Sequence, residues 1–189
     1  MFLNLIFIGG GVILNIELDK NLKDRLIENG ITFSKANIDN LDDILQLFTQ
    51  RIKWFKEQEI SQWQKYLEHH PRHEFEDVIV NGDYFILSKN GKIVAGFEIS
   101  CDSKFWNDSS NDAYYIYKIV TTVGIKGFGN IIFDICENIA KLNDKKFLRL
   151  DCLSTNERLN KIYESHGFKL IKTGVKDYYH YALRELKLS

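Results

Sequence analysis

The stretch Val123-Gly124-Ile125-Lys126-Gly127-Phe128-Gly129-Asn130 decides how this chain is read. It follows an apolar, strand-like run, Tyr114-Tyr115-Ile116-Tyr117-Lys118-Ile119-Val120, and opens a helix-like run from Asn130 to Leu142. A strand, a glycine turn and a helix in that order present bare backbone N–H groups and a helix N-terminus to a phosphate. Glycine suits such a turn because a Cβ blocks close approach and disfavours positive φ. In the helix, Phe128, Ile131, Ile132, Ile135, Cys136, Ile139 and Leu142 form one apolar stripe. Alone, the turn is an ordinary connection before a helix. A second motif downstream, Asn156, Leu159, Tyr163, Gly167 and Phe168, gives it weight.

Working outward, Leu18 to Ile27 has the pattern of a short helix stopped at Asn29-Gly30, and Ile31 to Ala36 alternates as a first strand. Asn40-Leu41-Asp42-Asp43 starts a helix whose apolar positions, Leu41, Ile44, Leu45, Phe48, Ile52 and Phe55, keep helical spacing. Further helices are expected over Ser61–Glu68, before Pro71, and over His73–Val80. The period then changes to two. Asp83–Ser88 and Lys92–Ser100 read as strands joined by an Asn90-Gly91 hairpin turn, and Tyr114–Thr121 as a third strand. Lys146–Leu153 is a strand and Ser154–His166 a helix opened by a Ser154–Glu157 capping box. Phe168–Val175 and Tyr178–Leu186 close the chain as two strands. The order is βααβββαβαββ, an α+β layout around one mixed, mainly antiparallel sheet.

Composition bounds the function. The 189 residues suit one compact domain, and a formal net charge of −1 leaves no basic footprint for nucleic acid. Cys101, Cys136 and Cys152 have no pair spacing, which favours reduced thiols and a cytoplasmic protein. The apolar N-terminus, Phe2 to Leu14 around Gly9-Gly10-Gly11, is too short to span a membrane and lacks the parts of a signal peptide. It reads as an added strand or hairpin. A sharper expectation is that Met1 is not the native start, since adjacent glycine codons can spell a ribosome-binding site ahead of Val12 or Leu14. N-terminal sequencing of the native protein that returned this tail would refute it.

The element order, the glycine turn and Asn156-x-x-Leu159-x-x-Ile162-Tyr163-x-x-x-Gly167-Phe168 resemble the GNAT superfamily of N-acetyltransferases. The resemblance runs from Ile31 to the C-terminus, which divides the chain into an N-terminal extension, 1–30, and an acetyltransferase domain, 31–189. More narrowly, Trp54, Gln62-Trp63 and Leu148-Arg149-Leu150-Asp151-Cys152 are similar to small bacterial GNAT proteins whose acceptors are mostly unassigned. It implies a GNAT-like sheet with helices on both faces and with its fourth and fifth strands splayed apart, here Tyr114–Thr121 and Lys146–Leu153. Acetyl-CoA would lie in that gap. Ile119, Val120 and Thr121 would pair with the pantetheine arm as if it were a strand. The N–H groups of Ile125, Lys126, Gly127, Phe128, Gly129 and Asn130 would hold the pyrophosphate, with Gly124, Asn156 and Tyr163 completing the cofactor site. The family's turn usually begins with Arg or Gln where this chain has Gly124, a loss that Lys126 would offset.

The resemblance makes Tyr163 the general acid toward the thioester sulfur. Asn156 precedes it by two helical turns, an offset that puts both on nearly one face. For the base, Glu98, Asp151 and Tyr117 stay open; an acid at a strand end accepts a proton through water. Trp54, Trp63, Tyr117 and Trp106 are expected to wall the acceptor pocket, which suits a small amine. His69-His70-Pro71-Arg72-His73 lacks zinc-ligand geometry, so no metal is expected. Cys152 reads as a buried structural thiol. The expected activity is acetyl transfer from acetyl-CoA to a primary amine of a small molecule or peptide, by direct attack in a ternary complex. Partners are the acceptor and a second copy in a homodimer, with no nucleic acid or membrane. The alternative is a non-catalytic acyl-CoA-binding module on the same fold. A dinucleotide oxidoreductase fits poorly, because a Gly-x-Gly-x-x-Gly and a preceding βαβ unit are missing.

Overall fold

The structure, a computed structural model, describes residues 15–106, 111–177 and 179–189. The expectations for residues 1–14 lie outside it. Helices α1 (Lys20–Glu28), α2 (Leu41–Glu57), α3 (Tyr66–His69), α4 (Arg72–Val80), α5 (Phe128–Leu142) and α6 (Glu157–Ser165) surround strands β1 (Ile31–Lys35), β2 (Tyr84–Lys89), β3 (Lys92–Ser100), β4 (Ala113–Thr121), β5 (Phe147–Leu153), β6 (Lys169–Lys176) and β7 (Tyr179–Lys187). The seven strands form one sheet in the order β1-β2-β3-β4-β5-β7-β6. All neighbours are antiparallel except β4 and β5.

Each face carries its own core. Leu22 and Leu26 of α1, Ile132, Ile135 and Ile139 of α5 and Tyr163 of α6 pack with Phe85, Leu87, Phe97, Ile116 and Leu150. On the opposite face Leu41, Ile44 and Phe48 of α2 and Phe75 and Ile79 of α4 cover Tyr84, Ile86 and Val120. Alternate residues of β2 thus serve opposite faces, as period two requires.

In β4 that alternation inverts. Ile116 belongs to the α5 face and Val120 to the α2 face, although an even offset should keep them together. The cause is a bulge. Gly96 pairs with Val120 and Glu98 with Tyr117, so Lys118 and Ile119 together oppose Phe97. Lys118 has φ of 46°, and its carbonyl accepts from the Tyr84 hydroxyl at 3.2 Å. Tyr84 reaches it across Gly96, where a Cβ would sit 2.7 Å from the tyrosine ring. Only glycine fits under that ring.

Two sequence expectations are corrected. The helix expected over Ser61–Glu68 forms only from Tyr66 to His69. Trp63 takes a left-handed φ of 62°, and its ring packs on Phe48, Phe55 and Tyr66; aromatic burial outweighs local helix propensity there. Helix α6 is capped by Asn156, whose side chain accepts from the Leu159 N–H at 3.0 Å, and not by Ser154.

Candidate active site

The parallel β4–β5 pairing holds only Ala113, Tyr114 and Tyr115 against Phe147, Leu148 and Arg149. Beyond it β4 runs on to Thr121 and β5 to Leu153 with no pairing between them. Ile119, Val120 and Thr121 therefore lie on the stretch of β4 that faces this gap. The bulge at Lys118 and Ile119 lies within the parted stretch of β4, beyond the last residue paired with β5, Tyr115.

The glycine turn follows at the end of β4. Gly124 and Gly127 have φ of 86° and 99°, and a Cβ at Gly124, Gly127 or Gly129 would meet nothing within 4 Å. Gly127 is the N-cap of α5 and offers no side chain; the first turn carries no acid. Among the described residues, the N–H groups from Val123 to Asn130 meet no protein acceptor; the first answered one is Ile131, on the Gly127 carbonyl. Phe128 is buried and anchors the turn, while Ile125 and Lys126 are exposed. The Asn130 side chain bonds His166 at 3.1 Å, tying the first turn of α5 to the end of α6. Arg51 of α2 fixes the other end: its guanidinium donates to the carbonyls of Thr121 at 2.7 Å and Thr122 at 2.9 Å. An exposed cluster of unanswered amides at a helix N-terminus attracts an anion.

On the α5 side of the gap stands Tyr163. It is buried, edge-on to Phe133 at 5.7 Å and to Phe168 at 6.0 Å. Burial is the main cause that raises its pKa, with Cys152 and Asp151 adding to it and Arg184 opposing. The sequence did not reveal what holds it. Arg184 of β7 is buried and donates to Asn160 Oδ1 at 2.9 Å and Glu164 Oε1 at 3.0 Å, clamping α6 to the sheet. Asn160 also accepts from Cys152 Sγ at 3.4 Å and donates to the Leu153 carbonyl at 3.0 Å. Cys152 has its pKa pushed up to about 11 by burial, the state of an inert thiol. Asn156 sits just ahead of the helix, so it does not share a helical face with Tyr163. Its side chain caps α6 and donates to Gln62 Oε1. Gln62 is itself buried, and this bond joins the loop after α2 to the start of α6.

The α2 side of the gap gathers the remaining candidates. Glu98 and Lys118 form an ion pair at 2.5 Å, each side chain 11% exposed. Tyr117 donates to Ser103 at 2.5 Å. Asp151 accepts from the Tyr179 hydroxyl at 2.9 Å; burial raises its pKa, and the Tyr179 bond and nearby His70 hold it down in part. Burial raises the Tyr66 pKa, and the charges of Glu98, Asp151 and Glu74 add to it. Trp54, Phe55, Trp63, Tyr66 and His70 stand in a row, each ring within 6 Å of the next. Trp106 lies apart, over the Arg149 guanidinium at 4.5 Å. Among the described residues no group of His, Cys, Asp and Glu is arranged to hold a metal. Gln62 was noted only within the Gln62-Trp63 likeness, without its bond to Asn156; Arg184, Asn160 and the His70–Glu74 pair were missed from sequence. Only the last left a signal there, its i, i+4 spacing.

No family model matches the sequence. A curated relative, the uncharacterized N-acetyltransferase YesJ of Bacillus subtilis (strain 168), is 19% identical over 166 residues, 84% of this chain and 92% of the relative. A GNAT-family acetyltransferase from Listeria monocytogenes superposes with a TM-score of 0.69 at 23% identity, covering 84% of this chain and 95% of that one. The PaiA N-acetyltransferase of Thermoplasma acidophilum, solved in complex with coenzyme A, gives 0.65 at 16% identity, covering 83% and 98%. The chain has the GNAT fold, as its sequence motifs led us to expect.

Proposed function

We propose that this chain is an N-acetyltransferase that moves the acetyl group of acetyl-CoA to a primary amine of a small molecule or peptide, by direct attack in a ternary complex. The observation that carries the reading is the set of unanswered N–H groups from Val123 to Asn130, at the end of a strand that has parted from its neighbour. The site fits the cosubstrate: two left-handed glycines leave open space at the turn, and no acid stands in the first turn of α5 to repel a pyrophosphate. The amides of Ile125 to Asn130 and the Lys126 ammonium would hold the pyrophosphate, and the backbone of Ile119 to Thr121 the pantetheine arm. Asn156 would contact that arm beside its capping role. The coenzyme A complex of the PaiA neighbour and the name of the Bacillus subtilis relative support this choice.

Acetyl-CoA supplies an activated acyl carbon and a thiolate leaving group. Tyr163 protonates that thiolate; its buried hydroxyl, kept protonated, is suited to the task. Trp54, Trp63 and Tyr117 would border the acceptor's side, with Trp106 set apart over Arg149. The boundary of the transferase domain falls at Ile31, with α1 packed on its core through Leu22 and Leu26. Edge strand β6 exposes Leu170, Ile171 and Val175, which supports pairing of two copies. Three free cysteines support a cytoplasmic site, and no described helix is long and apolar enough to cross a membrane. The test is release of free thiol from acetyl-CoA across a panel of amines. Turnover of at least one primary amine is expected; acetyl-CoA binding without turnover of any would favour the non-catalytic module.

A further inference from the structure

We propose that His70, oriented by Glu74, is the base that takes the proton from the acceptor's ammonium; this rests on the acetyl-transfer reading above. The other candidates have been engaged by the fold. Glu98 is paired with Lys118, Tyr117 donates its proton to Ser103, and Asp151 accepts from Tyr179. His70 differs. Its Nδ1 lies 2.9 Å from Glu74 Oε2, one helical turn along. A carboxylate there draws the ring proton to Nδ1 and leaves the Nε2 lone pair for the acceptor. Among the described residues nothing bonds Nε2.

The backbone fixes the ring. His70 ends α3 and precedes Pro71, which keeps it out of the helical region, at φ −122° and ψ 78°. The ring then rests on Tyr66 at a centroid distance of 4.5 Å. Charged groups bear on the ring from several elements. Glu74 on α4 bonds it, and Asp151 on β5 is close enough to feel its charge. Lys118 on β4, which is paired with Glu98 of β3, and Lys104 of the loop after β3 bear on Glu74. Glu74 therefore bonds the imidazolium that the proton transfer creates, and the charge of Asp151 acts on it as well. The side chain is 40% exposed, so that proton has a path to water.

The step balances. One ammonium proton passes to His70 Nε2 and on to solvent. The amine nitrogen then bonds the acyl carbon, the C–S bond breaks, and the sulfur keeps the electron pair. The thiolate takes a proton from Tyr163, which regains the nitrogen's second proton through water.

The test follows kcat/KM against pH for wild type, His70→Gln and Glu74→Gln, using the amine that wild type turns over fastest, with calorimetry of acetyl-CoA alongside. His70→Gln should lose about 100-fold near pH 7 and regain about tenfold per pH unit as the amine itself deprotonates, while wild type levels off. Glu74→Gln should lose about tenfold, which gives a second reading should His70→Gln fold poorly. Acetyl-CoA affinity should stay within about twofold in both, since a half-exposed pair contributes little to the fold. Wild-type profiles in both variants, with acetyl-CoA still bound, would overturn the role of His70 alone. A wild type that gives no heat with acetyl-CoA, or no thiol with any amine, would remove the acetyl-transfer reading and this one with it.

Discussion

Tyr163 shows what burial does for a proton donor. Enclosed by Phe133 and Phe168, with Asp151 and Cys152 near, its hydroxyl resists ionisation, which is what the proposed proton donor to a thiolate needs. Tyr163→Phe keeps the ring and deletes the donor. It should lower kcat about 100-fold and leave acetyl-CoA affinity nearly unchanged; single-turnover rates beside calorimetric affinities check this. At Asp151 burial acts against stability. Its folded pKa lies above its unfolded one, so its contribution to stability is fully present below the unfolded value, near pH 4, and is lost as pH rises through the folded value. Asp151→Asn, which can still accept from Tyr179, should therefore raise Tm near pH 7 and leave it unchanged near pH 3, a difference that thermal melts at the two pH values resolve.

At the scale of the element, the β4 bulge and the start of α5 matter most. The bulge depends on Tyr84 crossing Gly96 to reach the Lys118 carbonyl. Gly96→Ala forces that buried ring to move and should cost about 1–3 kcal/mol with a clear loss of acetyl-CoA affinity. Tyr84→Phe removes only the hydrogen bond and should cost about 1 kcal/mol. Denaturant titration ranks the pair, and equal costs would mean that the ring's position is unimportant. None of this shows in the run Tyr114–Val120, which reads as an unbroken strand; the bulge comes from partners on β2 and β3. Likewise, Ser61–Glu68 has helical residues, yet the rings of Phe48, Phe55 and Tyr66 pull Trp63 out of the helix. Where signals were local the reading held. Asn90-Gly91 marked the hairpin, and the stripe from Phe128 to Leu142 marked α5, although its last residue, Leu142, is exposed.

Across the whole molecule, a two-faced sheet divides the labour. The α5 face carries the glycine turn and Tyr163; the α2 face carries Asp151, Tyr117 and the His70–Glu74 pair; the parted strands open between them. The turn and the Tyr163 motif were legible because each lies within a dozen residues of sequence. The Arg184–Asn160 clamp and the Gln62–Asn156 bond were not, for their partners meet only after folding. The central claim is that the amides from Ile125 to Asn130 grip a pyrophosphate. Calorimetric titration of coenzyme A and of pantetheine, which lacks the pyrophosphate, into wild type and Gly127→Ala tests it most directly. An alanine at φ 99° strains the turn by about 1–2 kcal/mol. We expect wild type to bind coenzyme A at least about tenfold tighter than pantetheine, and Gly127→Ala to lose most of that margin. Equal affinity for the two ligands, or no heat from coenzyme A with folded protein, would contradict the account.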